Sequence, residues 1–201
     1  MGNVKRSPWL LHYDAASCNG CDIEVLACLT PTYDAERLGV INTGDPMQAD
    51  IMLVTGGVNT KNADIVRQLY NQMPRPKVVV AVGVCACTGG IFKDCYNVLG
   101  GVDRVIPVDI YVPGCAARPE AIIDGIIKGV ELFQKRADEH EEMVKKGMTP
   151  DEIGRALDAQ RNWDGGIYGT ASDRALDAAS EAAKTGSAAA ADVKKGGSNQ
   201  A

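Results

Sequence analysis

Lys77-Val78-Val79-Val80-Ala81-Val82-Gly83 is the clearest strand signal in the chain, a continuous and mostly β-branched apolar run closed by a glycine. A strand buried on both faces reads this way, because neither side has to meet water. Upstream, Ile51-Met52-Leu53-Val54-Thr55-Gly56-Gly57 repeats the pattern. Between the two runs, Asn62 to Met73 carries Ile65, Val66, Leu69 and Tyr70 at helical spacing. Strand, helix, strand predicts a right-handed crossover and a parallel sheet, so the fold class is α/β. Ligands of such sheets sit beyond the carboxyl ends of the strands, where helix amides converge. Val84-Cys85-Ala86-Cys87-Thr88-Gly89-Gly90 occupies that place and reads as a thiol-bearing loop, its glycines letting backbone approach a bulky ligand.

Working outward, Ser7-Pro8-Trp9-Leu10-Leu11-His12-Tyr13 predicts a first strand that delivers the chain to Ser17-Cys18-Asn19-Gly20-Cys21-Asp22-Ile23-Glu24. A short helix from Cys21 to Leu29 ends at Thr30-Pro31, with Cys28 on it as a packing residue. Leu38-Gly39-Val40-Ile41 is a possible short strand, and the rest of Tyr33 to Pro46 reads as loop. Gly56-Gly57 reads as a turn, since no dinucleotide fingerprint follows it. Arg104 to Val112 predicts another strand, leading into Pro113-Gly114-Cys115, a third thiol loop. Arg118-Pro119-Glu120-Ala121 opens the longest helix, whose predicted stripe is Ile122, Ile123, Ile126, Ile127, Val130 and Phe133. The expected division is a thiol-bearing core domain over 1–137 and a charged helical extension over 138–169. Within the extension, Thr149-Pro150-Asp151-Glu152 matches a capping box and predicts a helix to about Gln160. From Thr170 to Ala201 large apolar side chains are too few to offset chain entropy, so 170–201 is expected to be a disordered tail.

Composition narrows the function classes. The chain has 201 residues, a formal net charge of -5 and no long basic run, which argues against nucleic-acid binding. No apolar run approaches the ~20 residues of a membrane span, and Met1 to Pro8 lacks a secretory apolar core, so a cytoplasmic location is expected. Seven cysteines in such a protein are better read as thiols or metal ligands than as disulfides. A lone CxxC suits zinc, a redox pair or an iron-sulfur centre alike. Cys18, Cys21, one thiol of the Cys85 loop and Cys115 would all meet at one sheet edge. Four thiolates suit a cubane cluster and also tetrahedral zinc, although structural zinc more often uses two closely spaced pairs.

Taken together, Ser17 to Glu24, Gly83 to Gly90 and Val112-Pro113-Gly114-Cys115-Ala116-Ala117-Arg118-Pro119-Glu120-Ala121 resemble the small subunit of membrane-bound, energy-converting nickel-iron hydrogenases. That family is similar to the complex I subunit that carries its terminal cluster. The likeness covers approximately Ser7 to Phe133. It implies a flavodoxin-like parallel sheet with flanking helices, followed by a mostly irregular or helical extension. It also implies one four-iron, four-sulfur (4Fe-4S) cluster on Cys18, Cys21, Cys85 and Cys115, with Cys87 as second choice to Cys85. The complex I subunit has adjacent cysteines in its first motif, whereas Cys18 and Cys21 are separated, as in hydrogenases. No cysteine follows Cys115, so one cluster is the limit. The implied function is an electron-transfer subunit without an active site of its own. Its implied partners are a nickel-iron large subunit, a ferredoxin-like subunit and membrane subunits, and its implied place is peripheral, on the cytoplasmic side of the membrane. A quinone-reducing or cation-transporting relative of complex I and a zinc-stabilised binding module are the alternatives. Arg118 is either a stabiliser of the reduced cluster or an ordinary partner of Glu120. Glu24 reads as a helix-dipole carboxylate or as part of a subunit interface or proton route, and His12 as a packed or surface histidine.

Overall fold

The computed structural model describes residues 7–159. The Val78–Val82 run becomes β5 and the Ile51–Thr55 run becomes β3, every residue of both being buried. They pair in parallel beside β1 (Trp9–Asp14), with β2 (Ile41–Thr43) and β7 (Ile110–Val112) at the two edges. The sheet order is β2-β1-β3-β5-β7. Counting only these strands in chain order gives 2-1-3-4-5, the flavodoxin-like arrangement, whose direction reverses between β1 and β3. A separate antiparallel pair joins β4 (Val58–Asn59) to β6 (Val98–Gly100).

Helices cover both faces of the sheet. On one side, α2 (Ala63–Gln72) buries Ala63, Val66 and Tyr70 against Met52, Val54 and Val79. On the other, α1 (Gly20–Cys28) and α4 (Pro119–Lys145) pack Val25, Cys28, Ile122, Ile126 and Phe133 against Leu53, Val80 and Val82. Cys28 is therefore the packing residue expected. The stripe on α4 is narrower than its periodicity suggests, because Ile127 turns 37% outward while Arg136 is buried. That arginine donates to the Lys77 carbonyl at 2.9 Å and to Asp109 Oδ1 at 2.6 Å, tying α4 to the start of β5. The helix runs unbroken through 137–138, where the sequence places its division. No helix among the described residues is long and apolar enough to cross a membrane.

Three local expectations need correction. The short strand lies at Ile41–Thr43 rather than 38–41, because Ala35–Leu38 forms a 3-10 turn that Gly39 ends at φ 82°. The strand before Cys115 spans only Ile110–Val112. Val102–Arg104 is a 3-10 turn, and the Asp109 side chain, not further strand, takes the Val79 N–H at 2.8 Å. Residues 83–88 are a short helix, α3 (Gly83–Thr88), rather than an open loop.

The capping box is present. Thr149 N–H and Oγ1–H both donate to Glu152 Oε2 at 2.9 Å, opening α5 (Pro150–Ala159). Thr149→Ala should accelerate amide exchange in α5 about fivefold without moving the global unfolding midpoint, which hydrogen exchange would read directly. The predicted tail, 170–201, lies outside the described residues.

Candidate metal centre

Parallel strands put all their carboxyl ends on one edge, and the thiols follow from that. Cys18 and Cys21 come after β1, Cys85 lies on α3 directly after β5, and Cys115 comes after β7. The first turn is held locally. Asp14 Oδ1 accepts the N–H groups of Ala16 at 3.0 Å and Ser17 at 2.5 Å, and Ser17 Oγ accepts that of Asn19 at 3.0 Å. Asn19 then enters α1 at φ 67°. Gly56, at φ +78°, lets this turn cross β3's exit, since a Cβ there would stand 2.4 Å from Ser17 N. Gly83, at φ +86°, plays the same part for Cys21: a Cβ would lie 2.4 Å from its Sγ. Both glycines are required by close approach as well as by backbone conformation.

The sulfurs sense one another. Burial pushes the Cys85 thiol up, and the charges of Cys115, Cys18 and Cys21 push it further. Burial also raises Cys21, with Asp22, Cys18 and Cys115 adding to it and a backbone bond from Ala117 opposing it. Cys21 and Cys85, each raised in part by the charges of neighbouring thiols, are groups that a bound cationic centre would relieve. Among the described residues, no three His, Cys, Asp or Glu side chains converge tightly enough to hold a single ion.

Cys87 faces elsewhere. Two residues along a helix turn a side chain by roughly 200°, so Cys85 and Cys87 cannot point the same way. The Cys87 Sγ donates toward the Ala81 and Val112 carbonyls, each at 3.8 Å, and burial pushes its thiol up to about 11. It packs with the core on the α2 side of the sheet. Cys95 is exposed on the segment after α3.

The sequence reading missed a hydrogen-bonded group beside the thiols. Asp22 Oδ1 accepts Thr55 Oγ1–H at 2.5 Å and His12 Nε2–H at 3.0 Å, uniting α1, β3 and β1. His12 is thus a packed histidine with a defined acceptor. These residues are 10 and 33 positions from Asp22 in sequence, so no local pattern announces them. Glu24 is half-buried on α1, and Arg118 is exposed at the N-cap of α4.

A model of the NADH ubiquinone oxidoreductase 20 Kd subunit matches residues 18–129, from the first of these thiols into α4. The chain belongs to that family. This places it among oxidoreductase subunits, as the resemblance implied. Over 149 residues it is 46% identical to the Pyrococcus furiosus protein named "Probable membrane-bound hydrogenase subunit mbhJ", covering 74% of this chain and 85% of that one. It is 48% identical over 133 residues to an NADH-quinone oxidoreductase subunit of Amoebophilus asiaticus, covering 66% and 81%. A chain in the structure of an archaeal membrane-bound sulfane sulfur reductase superposes with a TM-score of 0.58 at 36% identity, over 81% of this chain and 88% of that one. A chain of an NAD+-reducing nickel-iron hydrogenase superposes at 0.50 with 22% identity, over 65% and 93%, which speaks for the fold alone.

Proposed function

We propose that this chain is the electron-transfer subunit of a multi-subunit, ferredoxin-linked nickel-iron hydrogenase. In this reading it holds one four-iron, four-sulfur cluster on Cys18, Cys21, Cys85 and Cys115. The observation that carries it is the meeting of thiols from three separate sheet exits at the edge where flavodoxin-like sheets bind ligands. Cys85 is in electrostatic reach of Cys18, Cys21 and Cys115, and ligands spread over three exits suit a cluster better than the two closely spaced pairs usual for structural zinc. The orientation of Cys87 toward the Ala81 and Val112 carbonyls favours Cys85 as the ligand from α3.

A bound cluster supplies reversible one-electron transfer there. The chain holds it at an edge where Cys18 and Cys115 are exposed and Cys21 and Cys85 are partly buried, so that one side stays accessible to a redox partner. Apolar side chains on the thiol-bearing segments support such a partner: Ile23 and Leu26 on α1 are 64% and 54% exposed, and Ile91 after α3 is 87% exposed. We assign these surfaces to neighbouring subunits, among them the nickel-iron large subunit, a ferredoxin-like subunit and membrane subunits. Attachment to the cytoplasmic side of the membrane is then peripheral, through those partners. The hydrogenase reading leans on the likeness to the Pyrococcus furiosus protein and on the separated Cys18 and Cys21.

A second reading keeps the cluster but places it in a quinone-reducing or cation-transporting relative of complex I. It is favoured by the 48% identity to the Amoebophilus asiaticus NADH-quinone oxidoreductase protein. Anaerobic purification of the native complex decides between them. The hydrogenase reading expects iron and nickel in the complex and hydrogen evolution from reduced ferredoxin. Iron without nickel, and no hydrogen, would move the assignment to the second reading. A colourless chain with stoichiometric zinc would reject both.

A further inference from the structure

A recess lies at the opposite end of the sheet from the thiols. Lys77 directly precedes β5, so the residues around it sit at the amino ends of the strands, whereas the cysteines follow the carboxyl ends. There the end of α2, segment 73–77, α4 and the start of α5 surround a cavity of about 370 Å³. Its polar lining is Arg75, Lys77, His140 and Asn71, and its apolar wall includes Met73 and Ile153. Among the described residues no carboxylate lines it, although the chain has a net charge of -5 and Asp138, Glu139, Glu141 and Glu142 flank His140 on α4. We propose that this cavity is a binding site for a phosphate group.

The two cationic side chains are held at the cavity. Lys77 is 4% exposed and donates to the Tyr70 and Met73 carbonyls, capping the end of α2. Arg75 lies against α5, since a Cβ on Gly154 would stand 2.4 Å from Arg75 Nη1 and 2.9 Å from its Cζ. Glycine inside a helix is unfavourable, and here it leaves the room that the guanidinium occupies. Arg75 and Lys77 keep further interactions of their own within the protein. A guanidinium has five N–H donors and an ammonium three, so each can hold those partners and still face an anion. A tetrahedral phosphate accepts from several directions at once, which suits donors arriving from α2, segment 73–77 and α4. The volume is at the lower end for small-molecule sites, and Met73 and Ile153 can cover an apolar group attached to the phosphate.

Hydrogen exchange of the native complex, with phenyl phosphate, inorganic phosphate or sodium chloride at equal ionic strength, tests this. Both phosphates should slow amide exchange at 71–77 and 151–154, about twofold when half the sites are filled, while sodium chloride should not. Phenyl phosphate acting at the lower concentration marks an organic phosphate as the ligand, and equal midpoints mark inorganic phosphate. Arg75→Gln removes a charged donor and should raise the phosphate midpoint on the order of tenfold. Equal slowing by sodium chloride, no slowing by either phosphate, or an unmoved midpoint in Arg75→Gln overturns the proposal. If Arg75→Gln loosens α5 without any ligand, Gly154→Ala decides. It keeps the charge but takes the space of the guanidinium, so a raised midpoint upholds the site and an unmoved one overturns it.

Discussion

Cys85→Ser should strip this chain of its iron, whereas Cys87→Ser should retain it. Both residues lie on α3, immediately after β5, and the sequence alone cannot rank them beyond the family likeness. The fold distinguishes them by direction. Cys85 is partly exposed, with Cys115, Cys18 and Cys21 in its electrostatic reach, while Cys87 packs into the core with its sulfur toward the Ala81 and Val112 carbonyls, where burial first of all pushes its thiol up to about 11. Every ligating thiol must give up its proton, but Cys87 would also have to leave its packed surroundings to bind. Serine offers a hard, protonated hydroxyl where soft thiolate is needed. Iron on this chain and the broad visible absorption should therefore fall to background in Cys85→Ser. In Cys87→Ser both should stay near the parent level, apart from a modest stability loss from a polar group near the core. The reverse outcome would place Cys87 in the centre and contradict the orientation of α3.

Asp109→Ala should cost about 3–5 kcal/mol of folding stability, seen as a lower denaturant midpoint with an unchanged slope. The side chains of Arg136 and Asp109 are 10% and 4% exposed, and they meet at 2.6 Å. Removing the carboxylate leaves a buried guanidinium that still donates to the Lys77 carbonyl at 2.9 Å but has lost its counter-charge. It also leaves the Val79 N–H without the Asp109 Oδ2 it now meets at 2.8 Å, which adds an unsatisfied donor in the centre of the sheet. Replacing both partners, Asp109→Leu with Arg136→Met, should recover part of the loss, since the uncompensated charge goes while the orphaned amide stays. If Asp109→Ala costs under ~1 kcal/mol, the pair is solvated in practice and α4 is held by its apolar stripe alone.

The parts of the molecule legible beforehand are those written in short-range periodicity. Val78 to Val82 and Ile51 to Thr55 have nothing to offer water on either face, and their order with α2 between them implies a parallel pairing. Thr149 and Glu152 sit three apart, so their cap is a local event. Segments with weak or conflicting signals are less legible. Gly83 to Gly90 contains three glycines, which argue for a loop. The register of β5 and the Val84 N–H to Gly114 carbonyl bond at 2.9 Å nevertheless wind its first part into α3.

By itself, then, the amino-acid order determined an α/β sheet with thiols at its strand exits, because burial pattern, turn chemistry and cysteine spacing all act within a few residues. Only the tertiary structure decided that Cys87 turns its sulfur toward the Ala81 and Val112 carbonyls, that Asp22 is clamped by His12 and Thr55, and that Arg136 pins Asp109. Those outcomes depend on which strands become neighbours and on the side to which each helix turns. Contacts made across tens of residues leave no periodic trace in the chain that makes them.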